Sequence, residues 1–253
     1  MTAVRTEEHG RVLLVTIDRP EVRNAIDEAT AQGIADALAE LDARDDLSVG
    51  VLTGAGKGFC AGMDLKAFLA GERPSVPGRG FGGIVERPPA KPVVAAVEGF
   101  AVAGGFEIAL ACDLIVAARD ARFGLPEVRR GLLAGGGGLL RLPARIPYNV
   151  AMEWALTGEL VTAEQAHAVG LVNRLTDPGA ALDAALDLAV DVARNAPLAI
   201  RATKRIVSEA ATWPAAERFA RQQEIYEPVR SSADAAEGAR AFTEKRVPRW
   251  QGR

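Results

Sequence analysis

Short apolar strands, each followed by a turn and then a helix, recur through the first half of this chain, and that order leaves few architectures open. Val12–Ile17 reads as a strand. It stops at Asp18-Arg19-Pro20, because proline offers no N–H to a ladder and restricts the residue before it. Asp27 is placed to cap a helix whose apolar stripe is Ile34, Leu38 and Leu41. Val49–Thr53 reads as the next strand, followed by a glycine-rich turn and then Asp64–Phe68, the start of a helix. Pro92–Val97 is an apolar strand, Gly104-Gly105 opens a helix running toward Cys112, and Leu114–Ala117 is strand again. Such alternation predicts α/β architecture. From Tyr148 onward the pattern turns helical. Thr162 and Gln165 have capping-box spacing, and Gly170 is placed to end that helix. Asp183–Arg194, Leu198–Ala210, Pro214–Tyr226 and Ala233–Arg246 read as further helices. Ala70–Arg87 is rich in Gly and Pro with weak periodicity, and is expected to be a mobile segment beside a ligand entrance.

Composition closes off several function classes. A net charge of −3 gives no overall attraction to nucleic acid or acidic membranes, and the few aromatics do not interleave with a basic stripe. No apolar run is long enough to span a bilayer, and the opening MTAVRTEEHG has neither an apolar signal core nor a presequence pattern. A cytoplasmic protein without membrane or nucleic-acid partners is therefore expected. Cys60 and Cys112 sit in apolar runs and read as buried reduced thiols. His9 and His167 have no metal-like spacing around them. No GxSxG elbow, GxGxxG fingerprint or Walker loop is present.

The chemistry concentrates in three turns. Glu107 closes GGFE and Glu127 closes GLPE, twenty positions later, while CAGMDLK spans Cys60–Lys66 upstream. Each has a plain structural reading: a tight strand-to-helix turn, a helix-dipole partner for Glu107, and a surface carboxylate at Glu127 paired with Arg129 or Arg130. Each also has a functional one. The backbone N–H of Met63 can point into a cavity. Gly104, at a helix N-terminus, can supply a second donor to a developing oxyanion. Lys66 could meet a phosphate. Glu107 has apolar neighbours in Phe106, Ile108, Ala109 and Leu110, which favour its protonated form. The run Gly135–Gly138 permits close approach of backbone to ligand or water. Two carboxylates and two aimed N–H groups would suffice to add water to an activated double bond.

In their order, these segments resemble the crotonase, or enoyl-CoA hydratase, superfamily. The resemblance runs from DRPEVRNAI through GKGFCAGMDLK, KPVVAAVEGFAVAGGFEIALACD, ARFGLPEVRRGLLAGGGGLLRLP and ALTGELVTAEQAHAVGLVNRL to AFTEKR. It implies a ClpP/crotonase-like spiral of ββα units over residues 1–195, followed by a helical trimerisation region over 196–253. It implies Met63 and Gly104 as backbone donors to the thioester oxygen, Glu107 and Glu127 as acid/base carboxylates, and Gly135 as holding the reacting water. It further implies Ala61, Asp64, Leu65 and Lys66 along the CoA site, with Phe242 and Lys245 approaching acyl-CoA from a neighbouring subunit. The activity implied is reversible syn hydration of a 2-enoyl-CoA, as in fatty-acid β-oxidation, in a homotrimer or dimer of trimers. No metal or redox cofactor is implied; CoA is part of the substrate. Leu125 stands where many hydratases carry a polar residue, which predicts a more apolar acyl pocket near Glu127. Ala103 replaces a common glycine. The GGFE and LPE variants and the closing segment also resemble carnitinyl-CoA dehydratases. Dehydration of a carnitinyl-type thioester, double-bond isomerisation and noncatalytic acyl-CoA binding are the rival readings.

Overall fold

The computed structural model describes residues 2–253. Among these residues are eleven strands: β1 Val4–His9, β2 Val12–Ile17, β3 Val49–Gly54, β4 Ser75–Val76, β5 Gly80–Phe81, β6 Val93–Val97, β7 Phe100–Val102, β8 Leu114–Ala118, β9 Arg122–Gly124, β10 Val161–Thr162 and β11 Arg174–Thr176. Ten α-helices accompany them: α1 Glu28–Ala43, α2 Leu65–Leu69, α3 Gly104–Ala111, α4 Gly138–Arg145, α5 Tyr148–Thr157, α6 Ala163–Ala168, α7 Ala181–Ala193, α8 Pro197–Glu209, α9 Arg218–Arg230 and α10 Ala233–Thr243.

The large sheet runs β1-β2-β3-β6-β8-β11. Its first pair is antiparallel and the rest parallel. Parallel strands covered on both faces read as continuous apolar runs, which is why VLLVTI and VVAAV carry almost no polar residue. Period-two alternation still sorts their side chains. Leu13, Val15 and Ile17 join α1 and α3 in the main core, whereas Val12, Leu14, Val49, Val51, Val94 and Val116 face the opposite side. There α7 lies on them through Ala185, Ala189 and Ala193, small residues at four-residue spacing that let the helix approach the sheet closely.

A second, three-stranded sheet, β10-β9-β7, positions the site. Three successive stretches each give one strand to the large sheet, one extended piece to the small one, and then a helical turn. The first is β3, Cys60 and α2; the second is β6, β7 and α3; the third is β8, β9 and the short helix Pro126–Arg130. Cys60 bridges Ala101, and Ala101 pairs with Phe123, all in parallel. Three residues past that shared line come Met63, Gly104 and Pro126, with Glu127 next. The ββα repetition therefore delivers the three glycine turns to one edge.

Several sequence expectations are corrected. The 70–87 segment is tied down: it forms the hairpin β4-β5, buries Ile84 and Val85 in the main core, and packs Gly83 against α1. Strand β1 was not expected, since five of its six side chains are exposed on a sheet edge and show no apolar pattern. The helix expected over Pro214–Tyr226 begins at Arg218 and continues to Arg230, because Ala215–Glu217 form a tighter 3-10 turn first. Leu125 is 2% exposed and packs in the core beside Gly138 rather than lining the acyl pocket. Both cysteines are buried, and burial pushes each thiol up to about 12. No helix among the described residues is long and apolar enough to cross a membrane, and none of their His, Cys, Asp or Glu side chains cluster as a metal site.

Candidate active site

Where the three turns meet, they wall a cavity of about 1100 Å³. Ala61, Met63, Gly104, Glu107, Glu127 and Gly135 all face it. Sequence-expected residues drawn from more than seventy positions of chain are thus brought together.

The direction of the Met63 N–H follows from its pairing. Ile26 donates to the Gly62 carbonyl at 2.8 Å and accepts from the Asp64 N–H at 2.9 Å. In a parallel bridge the residue between those two points its own N–H the other way, and Met63 lines the cavity. Gly104 opens α3, so its N–H has no helical acceptor. Among the described residues, neither N–H finds a backbone acceptor. The two turns touch: a Cβ added to Gly62, whose φ is +95°, would lie 3.0 Å from the Gly104 nitrogen. Ala103 precedes Gly104 at φ +52° and ψ −130°, a conformation that L side chains rarely adopt. Such strain typically costs about 1–3 kcal/mol, against a gain in unfolded-chain entropy of about 0.4–1 kcal/mol for glycine. Ala103→Gly is accordingly expected to raise thermal stability by about 1 kcal/mol, seen as a higher melting temperature in calorimetry. An unchanged or lower value would show that the turn carries no strain.

Glu107 lies in the first turn of α3 and is 4% exposed. Burial, reinforced by the nearby charge of Glu127, raises its pKa to about 7, while the Gly138 N–H donates to Oε1 at 2.9 Å and opposes that rise. A Cβ on Gly136 would sit 2.6 Å from Oε2, so any larger residue there would push this carboxylate from its place. Glu127, on the short helix after β9, is also raised by burial, with its own backbone N–H and Arg130 opposing. Its Oε2 is buried and finds no hydrogen-bond partner among the described residues. A buried orphan acceptor is costly to leave unmade. Two carboxyls whose pKa values are raised, mainly by burial, thus face one cavity, an arrangement suited to acid/base work.

The remaining expected residues divide. Leu65 lines the cavity with Ala61. Lys66 is exposed to solvent. Asp64 is committed inside the fold: it caps α2 by accepting from the Lys66 and Ala67 N–H groups and pairs with Arg19. Phe242 and Lys245 are exposed and lie outside this chain's own cavity. Sequence reasoning missed Gly138, the donor to Glu107, and Arg141, whose guanidinium faces the cavity and donates to the Val85 carbonyl. The GGGGLLRL run was the available signal.

Stacked ββα units, with N–H groups and carboxyls converging on one cavity, define the crotonase fold class. Residues 7–253 match the family model described as enoyl-CoA hydratase/isomerase, and the chain belongs to that family. It is 44% identical over 256 residues to a carnitinyl-CoA dehydratase of Citrobacter koseri, covering 97% of each chain. It is 59% identical to enoyl-CoA hydratase EchA1 from Mycobacterium marinum, with a TM-score of 0.99 and 100% of both chains covered. A carnitinyl-CoA hydratase from Mycobacterium avium shares 42% identity at a TM-score of 0.80, again over 100% of both chains.

Proposed function

We propose that this chain is an enoyl-CoA hydratase, adding water reversibly and syn across a 2-enoyl-CoA to give the 3-hydroxyacyl-CoA. The observation that carries this reading is the unpartnered, buried Oε2 of Glu127 on the cavity that also holds Glu107. Attack of water on the β-carbon sends charge to the thioester oxygen, giving an enolate. The Met63 and Gly104 N–H groups hold that oxygen; losing one such donor typically costs about 2.7–4 kcal/mol of transition-state stabilisation. Glu107, held by Gly138, takes the proton from water, with Gly135 at the water's side. Glu127 gives a proton to the α-carbon. The charge of Glu127 adds to the rise in the Glu107 pKa, so the two proton transfers are linked. These proton transfers need only carboxyls, and CoA arrives as part of the substrate.

Dehydration or hydration of a carnitinyl-type thioester is the second reading, favoured by the names of the relatives at 44% and 42% identity. Retention of two carboxyls argues against a single-carboxylate isomerase and against a noncatalytic binder. Turnover across short, medium, branched and carnitinyl thioesters tests these readings, with products identified by mass and stereochemistry. Hydration of simple 2-enoyl-CoAs is expected. Binding of every thioester with turnover of none would overturn the proposal.

We assign residues 1–195 to the acyl-CoA core and 196–253 to assembly, as a homotrimer or dimer of trimers. Helices α8 and α9 bury none of their residues within one chain. Phe219 and Phe242 are each 85% exposed and Val247 is 84% exposed. Apolar side chains displayed this way fit a subunit contact, with Phe242 and Lys245 reaching a neighbour's acyl-CoA. Truncation before Ala233 is expected to reduce both oligomer mass in light scattering and turnover in the same sample. A fully active monomer would refute the assignment.

A further inference from the structure

The orientation of the Met63 N–H depends on two short segments lying side by side, residues 24–27 and 62–64. One side chain fastens both. The Arg19 guanidinium lies 3.0 Å from Asp27 Oδ2 and 3.1 Å from Asp64 Oδ2. All three side chains are mostly buried, at 18%, 18% and 12% exposure. The same guanidinium donates to the Ala25 carbonyl, and the Arg19 N–H donates to Asn24 Oδ1 at 3.0 Å. Each carboxylate is also a helix cap. Asp27 Oδ1 accepts from the Thr30 N–H at 2.8 Å at the start of α1, and Asp64 Oδ1 accepts from Lys66 and Ala67 at the start of α2. Met63 thus sits between a backbone bridge to Ile26 and a capping residue held by Arg19.

We propose that Arg19 is a positioning residue for the oxyanion-binding turn, acting on the reacting oxygen through Asp64 and the backbone of Met63. The inference rests on the reading of Met63 as an oxyanion donor. Only a planar fork with several donors reaches two carboxylates and a carbonyl together; a lysine ammonium is a single point of charge and cannot reproduce that spread. Removing the fork leaves two mostly buried carboxylates facing each other without their shared cation. The 62–64 segment then loses its ion pair to the 24–27 side and is held there by its backbone bridge to Ile26 alone, while Asp64 still caps α2. A small tilt of the Met63 N–H weakens its hold on the enolate oxygen much more than its hold on the substrate, since charge is greatest in the transition state. Displacements of about 1 Å at this range can cost about 100-fold.

The experiment compares wild type with Arg19→Met, Arg19→Lys and Asp64→Asn. Asp64→Asn keeps a capping oxygen for α2 while discharging the pair, so it reports on the link even where Arg19→Met does not fold. Two measurements are taken: turnover, split into kcat and KM, and the near-ultraviolet band of enolised acetoacetyl-CoA bound to each protein. The second requires no hydration activity. A bound enolate band in wild type establishes the oxyanion site by itself. Arg19→Met is expected to lower kcat about 10- to 100-fold with KM changed less than about threefold, and to lose most of the enolate band while still binding butyryl-CoA. Arg19→Lys is expected to recover part of both, and Asp64→Asn to shift both in the same direction by a smaller factor. A folded Arg19→Met or Asp64→Asn protein with wild-type kcat and an undiminished enolate band would overturn the positioning role. Absence of the band from wild type would instead overturn the oxyanion reading, and the inference with it.

Discussion

Glu127→Gln is expected to lower hydration turnover by about 100- to 10,000-fold while leaving acyl-CoA binding almost unchanged. Glutamine has nearly the shape of a protonated glutamic acid, so the cavity wall formed by Pro126, Glu127 and Arg130 should keep its form. What disappears is an acidic proton that can be given to carbon and recovered. The native carboxyl is suited to that exchange because burial raises its pKa and Oε2 has no partner among the described residues. A surface carboxylate held by Arg129 or Arg130 would have neither property. Arg129 instead pairs with Glu159 and donates to the Thr157 carbonyl, and Arg130 donates to the Pro126 carbonyl. Calorimetric binding of a saturated acyl-CoA, set beside turnover of the matching enoyl-CoA, separates the two effects. A folded variant with turnover near wild type would remove Glu127 from the reaction.

Much of this site was legible because its parts are local. A glycine turn, a helix start and an acidic residue within four positions make GGFE readable on sight. The small sheet was not legible, because β7 and β9 have three residues each and show no measurable period. Yet that sheet aligns Cys60, Ala101 and Phe123, and so decides that the three turns share one cavity. The partial burial of Glu127 was equally hidden: the residues beside it, Pro126 and Val128, carry no sign of a cavity, and the walls around it come from distant turns. Arg19 looked like a strand terminator before proline. Its partner Asp64 stands forty-five positions away and is ordered by the fold alone. Within CAGMDLK, Asp64 caps a helix and Lys66 faces solvent, structural placements that the segment's sequence did not reveal.

Glu107→Gln is expected to abolish most turnover and, at the same time, to make the protein more stable above neutral pH. The loss follows from removing the base for water, again by about 100- to 10,000-fold, and the double variant with Glu127→Gln should be little worse than the poorer single one, since groups acting as one unit are strongly non-additive. The gain follows from linkage. Unfolded, Glu107 titrates at its ordinary value of 4.5; folded, burial holds it near 7. Between those values the native state binds more protons than the unfolded state, so stability falls as pH rises through this window. This is opposite to the usual carboxylate, whose folded pKa is depressed. Above pH 7 the charged, buried form has cost the fold up to about 3 kcal/mol, at 1.36 kcal/mol per pKa unit. Glutamine carries no charge at any pH and can still accept from Gly138, so the variant loses that slope and its advantage grows from pH 4.5 to pH 7. Denaturant unfolding of both proteins at pH 5 and pH 8 measures the difference. An equal gap at the two pH values would mean that Glu107 ionises normally in the fold, and the case for it as a base poised near neutrality would fail.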